Sequence, residues 1–150
     1  MILISHRGNI NGVSPHQENH PNFIENAINQ GYDVEIDIRF DKESLWLGHD
    51  KPQYPTTIEW LRDRKKSLWI HCKDFASLAI LLPLDLRIFY HQKEDYTIIS
   101  DKHIWAHNLQ VLDSQCIIPL LSKKEIEKWT PQPIYGVCSD YIQILKEKLS

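Results

Sequence analysis

The sequence predicts an α/β fold, and three observations carry that prediction. Short apolar runs rich in β-branched and aromatic residues alternate with stretches of helical period, the order that builds a mostly parallel sheet covered by helices. Polar residues able to do chemistry stand at the carboxyl ends of those runs: His6-Arg7-Gly8, Glu35-Ile36-Asp37 and His49-Asp50. The chain has 150 residues, with no internal repeat and no Gly/Ser-rich or low-complexity linker, so it is expected to form one domain over 1–150.

The elements follow in order. A strand is expected over 2–6, then a helix over about 22–30 stopped by Gly31. Strands follow over 33–39 and, briefly, 45–48. Thr56 or Thr57 caps a helix over 57–66, with Glu59 and Trp60 in its first turn. The basic run Arg62-Asp63-Arg64-Lys65-Lys66 reads as that helix's C-terminus, complementing its dipole. A strand over 68–72 leads to a helix over 75–82, which Pro83 ends and whose apolar run Leu78 to Leu82 must pack on the sheet. Further strands are expected over 86–91, 103–107, 116–120 and 134–138. Ser122, through Glu125, caps a helix over 123–129, and a last helix covers 141–149.

One segment resists the alternating pattern. Tyr96 to Ser100 and His103 to His107 are separated only by Asp101-Lys102, far too little for a parallel crossover. We read Gln92 to Lys102 as an irregular connection replacing a helix, with an antiparallel hairpin as the alternative. A gap in the helical layer should follow, and exposed apolar sheet there is a candidate homodimer surface. Trp46, Trp69 and Trp105 fall inside strands and are expected in the core or sheet wall, while Trp60 and Trp129 look like helix-to-sheet anchors.

Composition mostly excludes. A net charge of −3 offers no basic footprint for nucleic acid, so no DNA or RNA partner is expected. No apolar stretch approaches the roughly 18 residues of a membrane span, and the N-terminus enters a strand directly, so the expectation is no transmembrane segment and a cytoplasmic protein. Cys72, Cys116 and Cys138 are odd in number and lie on apolar strands, as reduced core thiols do.

The polar residues point to phosphodiester chemistry. A phosphodiester is an anion with a poor alkoxide leaving group; its cleavage needs cationic or metal stabilisation of charge, a base for the nucleophile and an acid for the leaving oxygen. Histidine suits both proton roles. Glu35 and Asp37, two apart on a strand, face the same side and can hold one hard cation, leaving Ile36 to face the helices. Arg7 carries a planar fork matched to two phosphate oxygens, and Gly8 lets the backbone approach closely. Taken singly, each motif has an ordinary explanation: a solvated strand face, a turn, a chance triplet. Together, in order and at strand ends, they carry weight. Of eight histidines, His6, His49, His71, His91 and His107 fall at or near carboxyl ends of expected strands, which makes His91 and His107 secondary candidates for substrate contact.

The pattern His6-Arg7-Gly8, Glu18-Asn19-His20 before a helix, Glu35-Ile36-Asp37 and then His49-Asp50 resembles the glycerophosphodiester phosphodiesterase family, within the phosphatidylinositol-phospholipase-C-like barrels. It departs at His20, where the family usually has Thr. Leu68-Trp69-Ile70-His71-Cys72-Lys73-Asp74 resembles the family's Glu-x-Lys strand, with His71 in place of a metal-binding Glu. Gly136-Val137-Cys138-Ser139-Asp140-Tyr141 resembles its closing strand and Thr-Asp turn.

The resemblance implies a reduced TIM-type (β/α) barrel with several outer helices shortened or missing, because a full barrel takes about 200 residues or more. It implies His6 and His49 as the acid/base pair, Arg7 and Lys73 as the phosphate clamp, and Glu35, Asp37 and His71 as ligands of one divalent metal ion: Mg²⁺, Ca²⁺, Mn²⁺ or Zn²⁺, with an imidazole at 71 expected to weaken Mg²⁺ or Ca²⁺ and favour Mn²⁺, Zn²⁺ or Fe²⁺. His71 reads equally well as a hydrogen-bonded histidine in the barrel mouth. The expected activity is hydrolysis of a small-molecule phosphodiester. The alternatives are a non-catalytic module that binds a phosphorylated ligand on the same barrel, or a phosphodiesterase acting on a phospholipid headgroup or surface polymer.

Overall fold

In the computed structural model, which describes residues 1–150, the chain runs β1 (Ile2–His6), α1 (Pro21–Asn29), β2 (Asp33–Asp41), β3 (Ser44–Leu47), β4 (Tyr54–Thr56), α2 (Ile58–Asp63), β5 (Leu68–Cys72), α3 (Phe75–Leu81), β6 (Ile88–Phe89), β7 (Tyr96–Ile98), β8 (Ile104–Ala106), β9 (Cys116–Pro119), α4 (Lys123–Lys128), β10 (Gly136–Ser139) and α5 (Ile142–Leu149). The mixed α/β class expected from the sequence is what forms. Local chemistry sets the helix starts: Thr57, Asp74 and Ser122 each accept a backbone N–H in the first turn, and Glu125 completes a capping box with Ser122.

All ten strands belong to one sheet. Its parallel run is β6-β5-β2-β1-β10-β9-β8, and antiparallel pairings add β3 and β4 beyond the far end of β2 and β7 beyond β8. The sheet is open. β6 pairs only with β5, and no ladder joins it to β8, so the closed barrel is not formed by strand pairing.

Other contacts stitch that seam. Ser100 N–H donates to Ile88 O (2.9 Å), Ile88 N–H donates to Ser100 Oγ (2.9 Å), and Ser100 Oγ–H donates to Leu86 O (2.8 Å). Above them, Phe89 stacks on Trp105 (4.8 Å between ring centres) and His91 on His107 (4.1 Å).

Strand alternation sorts the core into two parts. Val34, Ile36 and Ile38 of β2, with Leu68, Ile70 and Cys72 of β5, face outward into the cluster shared with the helices. Ile4, Trp69, Phe89, Ile99, Trp105, Ile117 and Cys138 form a smaller cluster on the inner side of the curl. Glu35 and Asp37 alternate with the outward isoleucines, and His71 follows Trp69 by two, so all three point inward above that inner cluster. Ile36 faces the helical layer, as expected.

Three expectations need correction. Residues 92–102 are not an irregular connection: Tyr96–Ile98 pairs antiparallel with Ile104–Ala106, so the hairpin forms, because the short link between Ile98 and Ile104 is enough for an antiparallel return and too short for a crossover. The second helix ends at Asp63 rather than at 66, yet the basic run still closes it: Arg62 lies in its last turn, and Arg64, at the C-cap, donates to Trp60 O (3.1 Å), pairs with Glu25 and lies over the Trp60 ring, while Lys65 pairs with Asp85. Trp46 is only half-buried on the antiparallel extension, although Trp69 and Trp105 are core residues.

Leu81 is buried and Leu78 and Ile80 pack against the core, while Leu82, past the helix end, is exposed. Helices are missing after β6 and after β8, and there Ile98 (78% exposed) and Val111 (72%) face outward. All three cysteines are buried and unpaired. No helix is long and apolar enough to cross a membrane.

Candidate active site

The turn after β1 builds the first part of the site. Arg7 (φ 55°), Gly8 (φ 92°) and Asn19 (φ 61°) all adopt left-handed backbone, which fixes two chain crossings. Arg7 N–H donates to Glu35 O (2.9 Å), and Asn19 N–H donates to Arg7 O (3.0 Å). At Gly8 a Cβ would lie 2.7 Å from the Phe23 ring, so only glycine lets α1 approach.

Asn19, fully buried, clasps Asp37: its Nδ2–H donates to Asp37 Oδ2 (2.9 Å) and its Oδ1 accepts from Asp37 N–H (2.9 Å). Arg7 Nε sits 3.0 Å from Asp37 Oδ2, off the hydrogen-bond direction, while its Nη1 donates to Glu18 Oε2 (3.1 Å).

Each candidate acid/base histidine is held by a carboxylate. A carboxylate only accepts, so His6 Nδ1–H donates to Asp140 Oδ1 (2.7 Å), leaving Nε2 towards the cleft, 3.8 Å from Glu35 Oε2. Buried Asn9 donates to both Asp140 Oδ1 (2.7 Å) and Glu18 Oε1 (2.9 Å), joining the His6 and Arg7 supports into one network.

His49 Nδ1–H donates to Asp50 Oδ1 (2.7 Å), and the His49 side chain is 38% exposed. Its backbone is anchored: Gly48 N–H donates to Asp37 O (3.0 Å), and the Arg39 guanidinium donates to Gly48 O (3.1 Å) and His49 O (3.1 Å).

His71 is also held in place, by a carbonyl and a ring from the segment that begins at β6. Its Nε2–H donates to His91 O (3.2 Å) and its ring stacks on Phe89 (4.8 Å, 10°). Nδ1 therefore carries a lone pair, and it faces Asp37 Oδ1 (3.5 Å) and Glu35 Oε1 (3.7 Å). Lys73 Nζ lies 3.8 Å from Asp37 Oδ1.

The electrostatics follow from burial and neighbours. Burial, with Asp37 beside it, pushes Glu35 up to about 7. Burial also acts to raise Asp37, but Arg7 and the Asn19 hydrogen bond outweigh it and hold the group below the usual carboxylate range. Burial and then Lys73 push His71 down to about 4, so its ring is neutral near pH 7. Burial would lower His6, but Asp140 and Glu35 override it and raise it.

Glu35, Asp37 and His71 offer ligand atoms within 4.8 Å of one another. Their surroundings fit a cation: Glu35 Oε2 and Asp37 Oδ1 are buried with no hydrogen-bond partner, and the His71 lone pair faces that Asp37 oxygen and the other Glu35 oxygen. A cleft of about 230 Å³ is lined by His6, Arg7, Glu35, His49, His71 and Lys73 on one side and by His91, Trp105, His107 and Leu121 on the other. Asp37 lies just beneath it, fully buried. All seven residues named from the sequence thus converge, as do the secondary candidates His91 and His107.

Asp140, Asn9, Glu18 and Asn19 have supporting positions to which sequence reading gave no role. The signals were present: Glu18-Asn19 and Ser139-Asp140 are part of the motif pattern, but nothing local says which side chain they reach. Comparison with protein-family models, with curated proteins and with solved structures finds no match to this chain.

Proposed function

We propose that this protein is a metal-dependent phosphoric diester hydrolase of the glycerophosphodiester type, built on a reduced (β/α) barrel. The observation that supports the reading best is the convergence of two carboxylate-held histidines, two cations and a buried Glu-Asp-His group on one small cleft. In this reading Glu35, Asp37 and His71 hold the ion, which when bound supplies Lewis-acid polarisation of the phosphate.

The chain's own residues do the rest. Arg7 and Lys73 share the negative charge of the phosphate. His6 and His49 each keep Nδ1 on a carboxylate and present Nε2, so one takes the proton of the attacking hydroxyl and the other protonates the leaving alcohol. Asn9, tied to both Asp140 and Glu18, holds the histidine and arginine in register. The substrate is a small-molecule phosphodiester, a size that suits the cleft; action in lipid metabolism and a cytoplasmic location belong to the same proposal.

Hydrolysis of bis(p-nitrophenyl) phosphate by metal-stripped protein, titrated with Mg²⁺, Ca²⁺, Mn²⁺ and Zn²⁺, tests it. Metal-dependent turnover is expected, with His6→Ala or His49→Ala slowing it by about 10²–10⁴-fold while the fold is kept. Turnover that survives either substitution would remove that histidine from the mechanism. Silence with every ion, together with measurable binding of a phosphate ester, would favour the non-catalytic module.

A further inference from the structure

Resting on the metal reading above, we infer that His71 makes this a site for a borderline transition ion, Zn²⁺ ahead of Mn²⁺, in preference to Mg²⁺ or Ca²⁺. Three features of this chain carry the inference.

The first is the fixed tautomer. The His91 carbonyl takes the Nε2–H, and the Phe89 stack holds the ring plane, so Nδ1 is presented as a ready nitrogen donor that cannot easily swing aside for a water. A hydrogen-bonded carbonyl behind the ring is the usual support of a ligating imidazole. Imidazole nitrogen suits Zn²⁺, Fe²⁺ and similar ions, whereas Mg²⁺ and Ca²⁺ take oxygen ligands.

The second is charge. Affinity for hard ions follows the number of ligand charges. Glu35 and Asp37 bring two negative charges, but Asp37 already faces Arg7 (3.0 Å) and Lys73 (3.8 Å), so the two acids and two bases sum to zero. A hydrated Mg²⁺ gains little from entering such a site. A transition ion draws extra binding from the imidazole.

The third is spacing. His71 Nδ1 stands 3.5 Å from Asp37 Oδ1 and 3.7 Å from Glu35 Oε1. Ligands on bonds of about 2.0–2.2 Å at tetrahedral angles lie roughly 3.4 Å apart, so His71 already stands near ligand spacing from each carboxylate.

Calorimetric titration of metal-stripped wild-type protein with Zn²⁺, Mn²⁺, Mg²⁺ and Ca²⁺, alongside His71→Glu, tests this without any substrate. We expect one Zn²⁺ or one Mn²⁺ per chain, each bound at least about 10-fold more tightly than Mg²⁺ or Ca²⁺. His71→Glu should weaken Zn²⁺ by at least about 10-fold and strengthen Mg²⁺ and Ca²⁺.

Should that variant fail to fold, His71→Ala serves instead, losing Zn²⁺ without gaining Mg²⁺. Wild-type protein that prefers Mg²⁺ or Ca²⁺ overturns the inference and leaves the metal site standing. Zn²⁺ affinity unchanged in either His71 variant also overturns it, because His71 is then no ligand. Wild-type protein that binds none of the four ions overturns the metal reading itself, and tight Zn²⁺ binding retained by Glu35→Gln does the same by placing the ion elsewhere.

Discussion

His6 and Asp140 lie 134 residues apart in sequence, yet the site depends on their 2.7 Å contact. The carboxylate fixes which ring nitrogen carries the proton and raises the histidine's affinity for a second one. Asp140→Asn keeps the shape but removes the charge, so the His6 pKa should fall, and the limb of the pH–rate profile that belongs to it should move to lower pH. Nitrogen-detected NMR of the imidazole reads this directly, and an unmoved His6 resonance profile would reduce Asp140 to a packing residue. At this scale the sequence was informative about which residue types gather, because His-Arg-Gly and Glu-x-Asp keep their chemistry in three or four adjacent letters. Asn9 and Asn19 were opaque, since a buried asparagine is recognised by the two groups it bridges and neither is its neighbour in the chain.

The elements were the most legible part, because caps and period are local. Thr57, Ser122 and Glu125 take the capping places expected of them, and the strand residues alternate as written. The hairpin at β7 and β8 went the other way. An alternating α/β pattern favours a crossover there, but the short link from Ile98 to Ile104 permits only an antiparallel return. Turns also deliver the candidate acid/base groups, and Gly48 tests that. With φ at 149° and a backbone oxygen of Lys51 only 2.1 Å from where a Cβ would stand, Gly48→Ala must displace the chain on which His49 rides. It should lower stability by about 1–3 kcal/mol and cut turnover more than it weakens substrate binding. Urea unfolding and steady-state kinetics measure the two effects; wild-type values for both would mean that the turn adapts without moving His49.

At the scale of the whole molecule, the expected barrel is where the sequence fell short: strand pairing leaves the sheet open between β6 and β8, because closure depends on how far a twisted sheet curls and not on local residue pattern. The β6–β8 seam is held by Ser100 and by stacked rings, so Ser100→Ala, which strands the Ile88 N–H and the Leu86 carbonyl, should cost about 1–3 kcal/mol in thermal or denaturant unfolding.

The curl also buries two acids side by side, and that sets how metal-free stability varies with pH. Glu35 is raised to about 7, so between about 4.5 and 7 the folded protein holds a proton that the unfolded chain has released, and stability falls as pH rises through that window. His71 is lowered to about 4, so between about 4 and 6.5 the unfolded chain holds the extra proton and stability rises instead. The two oppose each other up to about pH 6.5. Above it the His71 contribution is complete, while Glu35 and the raised His6 both still lose protons in the folded state, and both act to destabilise. Metal-free protein should therefore melt at a lower temperature at pH 8 than at pH 6.5. Glu35→Gln should reduce that difference, and a saturating ion that binds the ionised Glu35 should do the same in the wild type. Melting curves at the two pH values, with and without the ion, decide it: a flat metal-free profile would mean that Glu35 is already compensated in the folded protein and has no need of a cation.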